Sequence, residues 1–326
     1  MEYEPLNQRD SQYCFGPDWQ EKPDPEREKQ AARRVRRCFS RVGWIYLLFL
    51  VMSNGAQLAV GVLLMRTGLA GKLGPSLSVL IITLSMYPAA VPLTALLMRK
   101  VPSLGGIGKE SWGIGKLAGF FVFSLGVLYL GNLTGTALMG LAGLVKGEPI
   151  ANGVQELIMS MESWVILLEA VLIAPIMEEL VFRKFLLDRI AGYGHWTAMT
   201  ASGLIFGIAH GNFYQFFYAF GLGMIFAYIY LHTGKIRYTI GFHMLINFMG
   251  SIVPLAILEL QSVNPTIGGL LLMGNLMLMF GYVICGVVLL LCCHRDLTFH
   301  PGFAGIPAGR KNRAVWLNGG MILFLL

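Results

Sequence analysis

Eight apolar runs separated by short polar segments leave this chain few ways to fold. They are Trp44–Met65, Leu73–Met98, Leu117–Val145, Trp164–Leu187, Trp196–Ala209, Phe213–Leu231, Tyr238–Leu258 and Leu270–Cys293. A helix needs about 20 mostly apolar residues to cross the hydrocarbon of a bilayer, and most of the runs reach or approach that length. Within lipid, only helices and closed barrels satisfy every backbone donor and acceptor, and continuous runs of this length suit helices. The expected fold is all-α: a polytopic transmembrane helical bundle of about eight spans. Composition agrees, with 13% charged residues against roughly 25% in soluble domains. A further apolar piece, Ala314–Leu326, covers about two-thirds of a span and is expected to form an incomplete last helix.

The cations are distributed as membrane topology requires. If the runs alternate direction, one set of loops carries Arg33, Arg34, Arg36, Arg37 and Arg41, then Arg99, Lys100, Lys109 and Lys116, then Lys184 and Arg189, then Lys235 and Arg237, then Arg295, Arg310, Lys311 and Arg313. The opposite loops hold only Arg66, Lys72 and Lys146, with no cation in Val263–Gly269. Cations favour the cytoplasmic side, so the N-terminus is expected in the cytoplasm, and the net charge of +7 does not point to nucleic acid. The chain divides into a polar cytoplasmic tail with a basic cluster (1–42), N-terminal membrane helices (43–146), a core richer in polar residues (147–258), and a C-terminal helix, loop and partial last helix (259–326). The arginine cluster reads as a solvated anchor; the sharper alternative is a short helix lying on anionic lipid. The five cysteines show no zinc-site spacing and read as free thiols. Some forty polar residues precede the first apolar run, which argues against a cleavable secretory signal.

Polar residues inside the apolar runs carry the functional signal. The fourth run contains Glu178, Glu179 and Arg183, and a carboxylate at that depth persists mainly when it is paired, lines a wet cavity or does chemistry. Glu179 and Arg183 are one turn apart and can form a buried pair. Glu178 points about 100° away, lacks that partner, and is free to act as a general base. Pro175, one turn earlier, can kink the helix and release backbone groups. Phe206 and His210 share a face of the fifth run, and His243 and Asn247 share a face of the seventh. A histidine can relay a proton, and an imidazole N–H and an amide are both donors suited to an oxyanion. At 1.5 Å per residue, Glu178 and Asn247 lie roughly 14 Å and His243 roughly 8 Å from the cytoplasmic helix ends. The four groups are thus expected to meet in the cytoplasmic half of the membrane, in a cavity open to that leaflet, if the fifth and sixth runs form a hairpin that dips rather than spans.

Glu178-Glu179-x-x-x-Arg183, Phe206-x-x-x-His210 and His243-x-x-x-Asn247, in that order, resemble the three motifs of the CAAX protease and bacteriocin-processing (CPBP, or Abi) family of intramembrane endopeptidases, which includes the type II CAAX prenyl endopeptidase. The resemblance covers about Trp164–Val253. It implies a glutamate-type peptidase that hydrolyses a peptide bond in a membrane-embedded or lipid-anchored substrate. Glu178 would activate water with His210 as its partner, His243 and Asn247 would hold the oxyanion, and Glu179, Arg183 and Phe206 would support them. The family has also been described as metallopeptidases, and Glu178, His210 and His243 are possible zinc ligands; the metal-free reading is preferred because Asn247 suits an oxyanion donor better than a ligand. The short loops, the absence of cysteine-rich external regions and the basic tail fit a bacterial cytoplasmic membrane without excluding the endoplasmic reticulum, and in bacterial relatives the resemblance points to peptide maturation or bacteriocin immunity.

Two other readings compete. A catalytically silent immunity or scaffold protein would keep the fold without needing an unpaired Glu178. A proton-coupled transporter could use Glu178 and His210 as a relay, but the chain lacks paired half-domains. Motifs of other intramembrane proteases are absent: Thr200-Ala-Ser-Gly203 lacks the first glycine of the rhomboid pattern. Glu169 reads as solvated near the external interface, Asn54, Gln57 and Asn132 as packing or cavity residues, and the aromatic run Phe213–Phe220 as a lipid-facing surface or a substrate wall. The segment Gly147–Ser163 is expected to be external and amphipathic.

Overall fold

The computed structural model describes residues 25–302 and 308–326. Cys14 and most of the polar tail lie outside the described residues. Among the described residues there is no strand, and the chain runs through α1 (Pro25–Arg66), α2 (Pro75–Arg99), α3 (Ile114–Lys146), α4 (Gly153–Ser160), α5 (163–190), α6 (His195–Ala209), α7 (Phe213–Thr233), α8 (Ile236–Val263), α9 (Pro265–Cys293), α10 (Ala308–Trp316) and α11 (Gly319–Leu325).

Six of these helices, α1, α2, α3, α7, α8 and α9, are long and apolar enough to cross a membrane. The other two expected spans are also helical. However, α6 has only 15 residues, and α5 carries the charged residues that set it apart from a simple span. The apolar tail is not one continuous helix. It breaks at Asn318, which caps α11 by accepting from the Met321 N–H at 3.0 Å. Val315, Met321 and Phe324 on either side of that break are buried, and both α10 and α11 pack against α1.

The core surrounds α7. In its most apolar stretch 67% of residues are buried, against 6% for α9, whose large apolar side chains face outward as lipid contact requires. Helices α6 and α7 approach closely because Gly203 faces Gly223: a Cβ on Gly223 would lie 2.7 Å from the Gly203 Cα. Small residues allow such backbone approach, which supplies packing energy where lipid offers no hydrophobic drive. At the cation-rich end, the 101–113 loop closes over the last turn of α7. Gly108 and Glu110 donate backbone N–H bonds to the carbonyls of Leu231 (2.6 Å) and His232 (3.0 Å).

Candidate active site

Departures from regular helix shape this region. Within α5, π-helical turns at Leu167–Ile173 and Leu180–Phe185 flank an α-helical stretch, Ala174–Glu179; within α8, a π-turn spans Phe248–Ile252. Pro175 and Pro254 each follow a π-turn by two residues. Proline has no N–H and its ring clashes with the carbonyl one turn back, so a wider turn accommodates it. The consequence is specific. The Ala174 N–H bonds to the Glu169 carbonyl, five residues back. The Ala170 carbonyl would need the N–H of Pro175, which does not exist. Asn247 fills that place, donating from Nδ2 to the Ala170 carbonyl at 2.8 Å. The proline of the first motif helix thus seats the asparagine of the third motif.

Glu179 and Arg183 are both fully buried, with Arg183 Nε 3.1 Å from Glu179 Oε2. Their N–H and carboxylate groups are not aligned for a hydrogen bond, so the pair is held by charge. The guanidinium is sandwiched on its other sides by rings, with its centre 4.4 Å from the Phe206 ring and 5.4 Å from the Phe226 ring. Phe206 therefore supports the site through Arg183 as well as touching His210 edge-on at 4.7 Å. Glu179 has a second partner that its spacing did not reveal: His243 Nδ1 lies 3.0 Å from Oε1. A carboxylate can only accept, so His243 donates through Nδ1 and presents Nε2 to the interior. That Nε2 sits 3.6 Å from Glu178 Oε2. His210 is oriented in the same way, with Nδ1 donating to the Phe206 carbonyl at 2.9 Å and Nε2 left free.

Glu178, His210, His243 and Asn247 line one cavity of about 420 Å³, together with Phe206. The structure brings together all four residues named from the sequence. It differs in two respects. Glu178 approaches His243, and no hydrogen bond joins it to His210 among the described residues. The cavity also extends away from the cation-rich loops. Its lining contains no lysine or arginine and reaches Val154, Leu157, Ile158 and Met161 in and beside α4, in the cation-poor Gly147–Ser163 segment. The expectation of a cavity open to the basic side is therefore corrected. Glu178, His243 and Asn247 lie nearer the cation-rich ends of α5 and α8, and the cavity runs from them toward α4, just before the start of α5.

Glu169 and Gln215 escaped the sequence reading. Glu169 lies in the cavity wall. Nine α-helical residues would place it half a turn from Glu178, and the intervening π-turn brings it round; Pro175 was the available signal. Tyr218 and Gln215, joined by a 2.7 Å bond from Gln215 Nε2 to the Tyr218 hydroxyl, come from the aromatic run. Asn132 also lines the cavity, whereas Asn54 turns back to the Leu50 carbonyl.

The set Glu178, His210 and His243 does not fit a zinc ion as placed. Among the described residues, no three histidine, cysteine or acidic side chains gather within metal-binding reach, although the His243 Nδ1 bond to Glu179 leaves Nε2 available as a ligand atom.

The sequence is similar to known proteins. The family model described as type II CAAX prenyl endopeptidase Rce1-like matches residues 160–249. The curated "Putative membrane peptidase YdiL" of Bacillus subtilis (strain 168) is 26% identical over 245 residues, covering 70% of this chain and 98% of that protein. No solved structure matches. The matched segment holds all three motifs in order, and Glu178, Phe206, His210, His243 and Asn247 of those motifs line one cavity. Over residues 160–249 the chain is thus similar to the type II CAAX prenyl endopeptidases, and over a longer stretch to a membrane peptidase of Bacillus subtilis.

Proposed function

We propose that the protein is an intramembrane endopeptidase that hydrolyses a peptide bond in a membrane-embedded or lipid-anchored substrate. The observation that carries this reading is the convergence of an acid outside the buried Glu179–Arg183 pair, two oriented imidazoles and an amide on one cavity within the bundle. The Glu178 carboxylate takes a proton from water, and the resulting hydroxide adds to the carbonyl carbon of the scissile bond. The carbonyl oxygen becomes an oxyanion facing His243 and Asn247. Glu179, which accepts from His243 Nδ1, holds that ring with Nε2 directed to where the oxyanion forms. Asn247 spends one N–H on Ala170 and retains the other. The proton held by Glu178, passed directly or through His210, goes to the leaving amine as the C–N bond breaks. Arg183 and Phe206 position these groups without touching the reacting atoms. No step requires a bound metal.

The apolar cavity wall and its reach to α4 suit a peptide arriving from the bilayer on the side of the Gly147–Ser163 segment. With the basic loops in the cytoplasm, that is the outer leaflet. A bacterial cytoplasmic membrane, with the N-terminus inside, is the setting supported by the loop charges and the Bacillus relative. The test is cleavage of quenched fluorescent, lipid-anchored peptides by purified protein in nanodiscs. Wild type should cleave with or without a zinc chelator, and Glu178→Gln should be inactive while unfolding at the wild-type temperature. Full activity in Glu178→Gln would overturn the mechanism; loss of wild-type activity with chelator would return the same residues to a metal site.

A further inference from the structure

The arginine cluster before the first apolar run is part of a built concavity. Arg33, Arg36, Arg37 and Ser40 stand at i, i+3, i+4 and i+7 on α1 and share one face. The C-terminal segment docks against that face at a distance only glycine permits: a Cβ on Gly320 would strike the Ser40 carbonyl, and one on Gly43 would strike the Gly320 backbone. The Gly320 N–H donates to Ser40 Oγ at 3.2 Å. Asn318 is buried and fully committed, donating from Nδ2 to the Ala314 and Val315 carbonyls, so it forms a fixed wall. Between the two segments lies a cavity of about 240 Å³ lined by Arg33, Arg36, Arg37, Ser40, Asn318 and Gly319. No carboxylate lines it, and no ion pair engages its three arginines among the described residues. The nearby Glu28 is taken by Arg310 at 2.8 Å.

Three guanidinium groups around one small cavity suit a tetrahedral phosphoryl group, because the planar fork of arginine matches phosphate oxygens in pairs. Position narrows the source. The apolar run begins at Trp44, one turn beyond Ser40, and Trp44 is half exposed, as a residue at the membrane–water interface is. The cavity thus lies at headgroup depth. We propose that it binds the phosphate of an anionic phospholipid headgroup and so ties the C-terminal segment to the membrane surface. This site is separate from the cavity containing Glu178 and does not depend on peptidase activity.

A general preference for cations on one side of the membrane would place arginines here without a site, and α1 supplies its own control. Arg34 and Arg41 lie about 80–100° round the helix from Arg33 and do not line the cavity. The experiment uses the full chain, stripped of lipid in detergent, with native mass spectrometry of bound phosphatidylglycerol and phosphatidylcholine and a parallel titration with inorganic phosphate. Wild type and Arg34→Gln/Arg41→Gln should prefer phosphatidylglycerol. Arg36→Gln/Arg37→Gln should lose at least about tenfold in affinity, the scale of one charge-assisted hydrogen bond. Gly319→Leu, which projects into open space, should block the lipid with every arginine in place and serves if the arginine variant fails to fold. Equal losses in the two double variants would overturn the proposal, as would undiminished binding in Gly319→Leu. Saturable binding of inorganic phosphate with no preference between the lipids would overturn the headgroup assignment and leave free phosphate as the ligand.

Discussion

At the scale of single residues, the site is a chain of dependencies that starts from one buried cation. Arg183 balances Glu179, Glu179 orients His243, and His243 turns Nε2 toward Glu178. Removing one member of a buried pair leaves the other uncompensated, at a cost of about 3–5 kcal/mol. Arg183→Met is therefore expected to lower the thermal unfolding midpoint sharply in detergent, and Arg183→Met/Glu179→Met should recover much of that loss without recovering activity. An equal midpoint for the single and double variants would refute the coupling. Asn247→Ala should cost about 1–3 kcal/mol by stranding the Ala170 carbonyl, in addition to its effect on turnover.

At the scale of elements, the irregular turns matter more than helix count. Pro175→Ala restores an N–H that can reach the Ala170 carbonyl and lets the preceding π-turn tighten. The variant is expected to be at least as stable as wild type, because an interior proline is costly, yet to cleave more slowly as Asn247 loses its anchor and Glu169 rotates away. Stability and activity falling together would argue against this account. The α6–α7 contact sets a second expectation. Gly203→Leu drives a side chain into the Phe220 carbonyl and Met224 and should prevent folding, read as loss of a monodisperse peak on size-exclusion chromatography.

At the scale of the whole molecule, the two ends differ in chemistry. The cation-rich end is closed by the 101–113 loop, where Glu110 Oε1 lies 2.9 Å from His232 Nδ1 and His195 packs edge-on against His232 at 5.0 Å. The His232 and Trp112 contacts hold the Glu110 carboxyl down at about 2, and burial followed by the charges of neighbouring histidines pushes His195 down to about 4. Both groups bind protons less readily when folded, so their stabilisation is lost on acidification: from pH 6.5 toward 4 for His195, and from 4.5 toward 2 for Glu110. The unfolding midpoint is expected to drop between pH 6.5 and 4, and to drop less in His195→Phe; an identical pH profile in that variant would rule out the histidine's part. The opposite end carries α4 and the reach of the Glu178 cavity. A cysteine at Asn152, at the start of α4, should react with an impermeant maleimide on intact cells, and protection there with labelling of the basic loops instead would invert the topology.

Membrane class, helical content and the grouping of the motif residues were legible from residue patterns alone, because each depends on local chemistry. Apolar runs of spanning length must become helices in lipid, and charges within them must meet partners. Residues four apart on a helix share a face whatever surrounds them, which is why Glu179 and Arg183 could be paired from their numbers. What only the tertiary structure decided depends on backbone groups whose partners are remote in sequence. The carbonyl freed by Pro175 is claimed by Asn247, seventy-seven residues later, and the Glu179 carboxylate is shared with His243, sixty-four residues later. Glu169 enters the cavity because π-turns change the angular step per residue, and that step is chosen by packing around a proline. The direction of the cavity likewise follows from which helix ends splay apart, a property of the assembled bundle that no single run encodes.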